Sequence, residues 1–138
     1  MELFILILTL VILAETTAIL FKNRLKITSS KRKIYVDSCA LIDGRILNIA
    51  RTGFLDGDLI ILKSVLLELQ LISDSRDTEK RTRGRMGLDN VSELERVINV
   101  NTEIVDDGEG KKKVDEQLLK YAKENKGTIL TLDYKLLK

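Results

Sequence analysis

Apolar positions along the chain fall into two regimes. Residues 3–21, LFILILTLVILAETTAILF, are apolar except for Thr9, Glu15, Thr16 and Thr17. Beyond residue 32, short apolar runs alternate with helical periods. Residues 33–37 (KIYVD), LIIL at 59–62, TEIV at 102–105 and TILTL at 128–132 predict strands. Apolar spacings of three and four predict helices over 41–52, 64–73, 86–99 and 114–125, with a last helix opening near Tyr134. Leu41, Ile46, Ile49 and Ala50 form an uneven face on the first of these. Val91, Leu94 and Ile98 line one face of the third. Ser64 is placed to cap the second, its hydroxyl accepting from first-turn amides. Residues 52–58, 74–85 and 106–113 read as polar connections, the middle one long and mobile in character. Alternation of strand and helix predicts an α/β domain with a parallel sheet and helices on both faces. No strand is followed by G-x-G-x-x-G or a Walker-type sequence, which argues against a nucleotide-binding α/β domain.

The first regime has a different meaning. Its 19 residues match the ~20 that cross a bilayer as a helix. A secretory signal peptide starts with basic residues and has a shorter apolar core; here the start is Met1-Glu2. The organisation expected is a transmembrane anchor over 1–21, a basic linker over 22–32 and a domain over 33–138. KNRLKITSSKRK, residues 22–33, holds six basic residues. The positive-inside rule then predicts a single-pass membrane protein with its domain on the cytoplasmic side, or the stromal side in a plastid. Lipid is thus an expected partner of residues 3–21. Glu15 is costly within a span; it marks a helix contact, or sits protonated or snorkelling.

Composition narrows the chemistry. A chain of 138 residues allows one modest domain after the anchor. A formal charge of +2 names no partner. The single cysteine, Cys39, excludes an internal disulfide framework. With no histidine in the chain, Ser–His and Cys–His nucleophile pairs and imidazole metal sites are ruled out. Catalysis would have to run on carboxylates, lysine, tyrosine, hydroxyls or a hard cation.

Four acids stand where acids are uncommon. Asp37 and Asp133 close apolar strands at the carboxyl end, the edge where open α/β sheets bind ligands. Glu68 shares a helical face with Val65, Leu71 and Ile72, and Asp115 with Leu118, Leu119 and Ala122. Each acid alone has a plainer role: Asp37 or Asp133 as a helix cap, Asp115 as a charge at a helix N-terminus. Together they imply more. Clustered, buried carboxylates need neutralising cations. An all-oxygen donor set suits Mg2+ or Mn2+, and such ions can orient a water and offset charge on a phosphodiester. Asp43 reads as a helix-start anion, Asp89 as an auxiliary acid, and Asp106 and Asp107 as solvated loop residues.

YVDSCALIDGRI, VLLELQLISDSRDTEKRTRGRMGLD, VDEQLLKYAK and TILTLDY, in this order, resemble a PIN domain. More narrowly they resemble membrane-anchored bacterial and plastid proteins that carry PIN followed by TRAM. The resemblance covers most of residues 33–138. It implies a three-layer α/β/α sandwich around a parallel sheet and a metal-dependent ribonuclease. It places the family's acids on Asp37, Glu68, Asp115 and Asp133, holding Mg2+ or Mn2+. The hydroxyl pair usual after the first aspartate reads Ser38-Cys39; Ser38 would orient an acid or a water, and Cys39 donates only weakly. The fourth-strand motif, usually Thr-Asn-Asp, reads Thr131-Leu132-Asp133. A complete PIN domain continues through another helix and strand, so the resemblance implies C-terminal truncation. Members of the family often pair, and an anchor raises local concentration, which favours a homodimer.

Arg76, Lys80, Arg81, Arg83 and Arg85 crowd one polar segment, diluted by Asp77 and Glu79. Such a segment can follow a phosphate backbone without reading sequence, or it can be a solvated linker. Tyr134, beside Asp133, is the aromatic best placed to stack on a base. The function expected is therefore a membrane-anchored, Mg2+- or Mn2+-dependent nuclease acting on RNA. The alternatives are an anchored RNA- or protein-binding module with a decayed site, and a structural fragment whose acids only cap helices.

Overall fold

The computed structural model describes residues 1–26, 31–108 and 113–137. The chain divides into two units, Met1–Lys31 and Arg32–Lys138.

The first unit is one helix, α1 (Glu2–Lys26). Its Thr9, Thr16 and Thr17 hydroxyls donate to carbonyls three or four residues back, so they need no partner outside the helix. Large apolar side chains from Leu3 to Leu13 are exposed. The predicted membrane span over 3–21 is corrected here: among the described residues, no helix is long and apolar enough to cross a membrane. The side chains described on α1 end at Thr17. Residues 18–21 of the predicted span lie beyond them. Residues 22–26 of the predicted linker are helical, and 27–30 lie outside the described residues.

The second unit is an α/β fold. Strands β1 (Lys33–Val36), β2 (Asp58–Leu62), β3 (Thr102–Val105) and β4 (Thr128–Leu130) form one parallel sheet in the order β3-β2-β1-β4. Leu59, Ile60, Ile61 and Leu62 are all buried. Successive side chains point to opposite faces, so both faces of β2 are covered, and its unbroken apolar run follows. Edge strand β3 instead exposes Glu103 and Ile104. The core joins Tyr35, Val36 and the β2 residues to Leu41, Val65, Leu69, Leu94 and Leu118 from the helices.

Four helical predictions change. The helix expected over 86–99 ends at Leu94, leaving Ile98 beyond it and exposed. The helix expected over 41–52 is two: α2 (Ser38–Asp43) and α3 (Arg45–Arg51). Gly44 separates them at φ 77°, a conformation that glycine adopts without steric cost. Asp43 therefore closes α2 instead of opening a helix, and its carboxylate pairs with Arg45. Ser64 is not the cap of α4 (Lys63–Ser73); the cap position is Leu62, which has no side-chain acceptor. The polar connection over 74–85 is largely helix, since α5 runs Thr78–Leu94. Asp77 starts it by accepting from the Glu79 and Lys80 amides. Gly84 sits where α5 meets α4. A Cβ there would lie 2.4 Å from the Ser73 nitrogen, so only glycine permits this approach. Helix α6 (Val114–Glu124) and a 3-10 turn at Tyr134–Leu137 complete the unit.

Candidate active site at the carboxyl edge of the sheet

Strands β1 and β4 are parallel neighbours, with Val36 paired to Leu130. Hydrogen bonding continues one step further, from the Asp37 amide to the Leu130 carbonyl at 3.0 Å. That register sets Asp37 beside the residues that follow β4. Asp37 is 4% exposed. Its Oδ1 accepts from the Ser38 amide at 2.7 Å, which caps α2. Its Oδ2 accepts from Cys39 Sγ at 2.9 Å and from Thr131 Oγ1 at 2.8 Å. Thr131 Oγ1 accepts in turn from the Asp133 amide at 2.9 Å, and Cys39 Sγ from the Leu132 amide at 3.1 Å. With both side-chain protons directed at Asp37, the Sγ–Oγ1 approach of 3.3 Å carries none. Asp133 Oδ1 accepts from the Lys135 amide at 2.9 Å and begins the final turn.

A carboxylate offers about four lone-pair directions. Three on Asp37 are taken, two on Oδ2 and one on Oδ1. The remaining direction, on Oδ1, is the one left for a further ligand. No Lys or Arg among the described residues pairs with this buried acid. Burial, followed by the Asp37 carboxylate, pushes the Cys39 thiol above its ordinary value of 9.0, keeping it a protonated donor.

The other predicted acids are placed less deeply. Asp133 and Glu68 are half-buried, and Asp115 is exposed in the first turn of α6. Glu68 is flanked by buried Val65 and Leu69, while Leu71, assigned to its face, is exposed. On α6 the buried stripe is Leu118 and Ala122; Leu119 lies outside it. The expectation that all four acids are buried is therefore met by Asp37 alone. The expected four-carboxylate cluster is also not assembled: no three acids or thiols among the described residues form a group able to hold a metal ion. The donor chemistry still suits a hard cation that keeps several waters and takes one or two carboxylates; it does not make a closed cage.

Two site residues were not legible in the role they hold. Cys39 and Thr131, not the Ser38 hydroxyl, supply the side-chain donors to Asp37; Ser38 contributes its backbone. Thr131 was visible only as the first position of Thr131-Leu132-Asp133. Asp107, expected to be solvated, is buried, and its Oδ1 accepts from the Ser64 amide at 3.0 Å to cap α4. Asp106 pairs with Lys63 at 3.1 Å. The signal for Asp107 was a second acid directly after a strand; the helix it caps, α4, follows the neighbouring strand β2.

The basic residues are gathered on one element. Lys80, Arg81, Arg83 and Arg85 lie in α5, and Arg76 just before it. Among the described residues none of these five forms an ion pair.

No family model matches the chain. Three curated relatives do, each called an uncharacterised PIN and TRAM-domain containing protein. The Bacillus subtilis protein is 42% identical over 112 residues, 80% of this chain and 30% of its own length. The Synechocystis protein is 37% identical, covering 75% and 29%, and the Thermus thermophilus protein 35%, covering 74% and 30%. The chain thus spans less than a third of the curated relatives it matches. Among solved structures, a domain of a functionally unknown protein from Methanocaldococcus jannaschii superposes with a TM-score of 0.62 at 28% identity, over 76% of this chain and 81% of that one. At 35–42% identity to these relatives, over 74–80% of its own residues, the chain belongs to the PIN-domain family.

Proposed function

We propose that this domain hydrolyses RNA phosphodiester bonds in a reaction that depends on Mg2+ or Mn2+ and is centred on Asp37. PIN-domain proteins are generally metal-dependent nucleases. One observation supports the reading most: Asp37 is a buried carboxylate at the carboxyl edge, held by three donors and paired with no cationic side chain. Taking a carboxylate out of water without a cation costs several kcal/mol, so the site is electrostatically suited to a bound cation. Asp37, with one or more of the acids that the family resemblance assigns to Glu68, Asp115 and Asp133, would hold the ion, which when bound supplies an activated water and offsets phosphate charge. Ser38, Cys39 and Thr131 hold the Asp37 carboxylate in one orientation. The test compares single-stranded RNA cleavage in Mn2+ by the chain and by Asp37→Asn, alongside melting midpoints with and without Mn2+. A midpoint raised only in the unaltered chain, with cleavage lost in the variant, is expected. Equal cleavage by both proteins sinks the reading.

Binding without cleavage is the second reading, favoured by the absence of an assembled three-acid group among the described residues. RNA binding by both proteins with no cleavage in Mn2+ would select it. Membrane attachment through α1 is a separate proposal, supported by the exposed apolar side chains from Leu3 to Leu13. Flotation of the full chain with anionic vesicles tests it, and failure to float rejects it.

A further inference from the structure

We infer that the start of α5 and the recess beside it form a subsite for one unstacked nucleotide of a single strand, a deepening that rests on the RNA reading above. The recess has a volume of about 320 Å3 and is lined by Ile42, Ile72, Lys80 and Arg83. Lys80 and Arg83 are three residues apart on α5 and so share a face. Ile72 lies four residues after Glu68 on α4, on the same side of that helix. Ile42 belongs to α2, the helix that opens on Asp37. The recess therefore lies between the two elements that carry Asp37 and Glu68.

Its walls divide by chemistry as a nucleotide does. Ile42 and Ile72 are half-buried and apolar, a surface for the face of a base. Lys80 and Arg83 are exposed cations with no ion-pair partner among the described residues, suited to the flanking phosphates. Of the nearby acids, Glu79 in the first turn of α5 is exposed and forms no ion pair among the described residues, and Asp77 is engaged in capping the helix. A volume in the range of small-ligand pockets admits one base. A base inside a duplex stays in its stack and cannot enter such a recess. Arg76, Arg81 and Arg85 do not line the recess.

The test is equilibrium binding of the full chain to a labelled RNA single strand, its duplex, and a single strand of equal charge with abasic positions. Divalent cations are left out, so cleavage plays no part and loss of the nuclease reading would not disturb the result. The unaltered chain should prefer the base-bearing strand over the abasic one by about fivefold, toward the low end of base contacts. Lys80→Ala with Arg83→Ala should weaken both single strands by about tenfold at low salt. Ile72→Ala should remove the preference for bases while leaving abasic binding unchanged. If that variant fails to fold, the base-bearing against abasic comparison in the unaltered chain decides alone. Equal affinity for base-bearing and abasic strands, or tighter binding to the duplex, overturns the subsite.

Discussion

Thr131 and Asp37 lie 94 positions apart in the chain, and their side chains meet at 2.8 Å. Thr131 donates to the carboxylate and accepts from the Asp133 amide, so one hydroxyl couples the ends of β1 and β4. Thr131→Val keeps the shape and removes both bonds. A hydrogen bond to a charged group contributes about 1.5–3 kcal/mol, and the orphaned acceptor adds a desolvation cost. Urea unfolding should show a loss of about 2 kcal/mol, and Thr131→Ser should restore most of it. A Thr131→Val chain as stable as the parent would show that the hydroxyl holds nothing.

The Cys39 thiol gives a signature at alkaline pH. Its folded pKa is raised, chiefly by burial and then by Asp37. The folded state therefore favours the protonated thiol. Its stabilisation is complete below the ordinary value of 9.0 and is lost as pH rises through the raised folded value. Tyr35 is also raised from 10.0 by burial and by Tyr121, Glu103 and Glu124, so it contributes to the same alkaline decline. Melting midpoints of the parent and Cys39→Ser between about pH 8 and 10.5 separate the two groups. The serine variant, whose hydroxyl does not titrate there, should fall less steeply. Identical pH profiles would leave the decline to Tyr35 and remove Cys39 from the account.

What the sequence revealed divides along locality. Apolar periods located all four strands, because burial on both faces forces apolar runs such as LIIL. Asp37 was legible because a carboxylate directly after such a run has few plain reasons to be there. Its partners were not, since Thr131 reaches it only through the pairing of β1 with β4, which no local pattern encodes. Helix α5 was misread for the opposite reason. Its charge and its two glycines suppress the local helical signal, and the compensation, close packing of Gly84 on Ser73 and Gly87 on Leu69, is tertiary. The same packing fixes the basic residues on a helix in place of a mobile loop.

Asp107 combines a cap with an unsatisfied atom. Oδ1 accepts from the Ser64 amide, while Oδ2 and Ser64 Oγ are buried without a hydrogen-bond partner among the described residues. Asp107→Asn can keep the cap through its carbonyl oxygen and removes a buried acid, so it should leave stability equal or higher. Asp107→Ala loses the cap, at about 1 kcal/mol. Denaturant midpoints of the two variants should therefore move in different directions. A loss in both of equal size would show that the carboxylate itself, and not its capping oxygen, stabilises this corner.

Salt dependence measures how many of the α5 cations meet phosphate. For single strands the slope of log K against log salt is about −0.7 per phosphate neutralised. If Arg76, Lys80, Arg81, Arg83 and Arg85 all engage, the slope approaches about −3.5. These residues carry no ion pair among the described residues, so phosphate contact displaces no internal partner and the full counterion term is available. Removing Lys80 and Arg83 together should flatten the slope by about 1.4. Removing Arg96, already paired with Glu93 at the far end of the same segment, should leave it unchanged. A slope that is steep in the parent and untouched by the Lys80 and Arg83 substitutions would move the phosphate contacts off the start of α5 and onto the other basic residues of the chain.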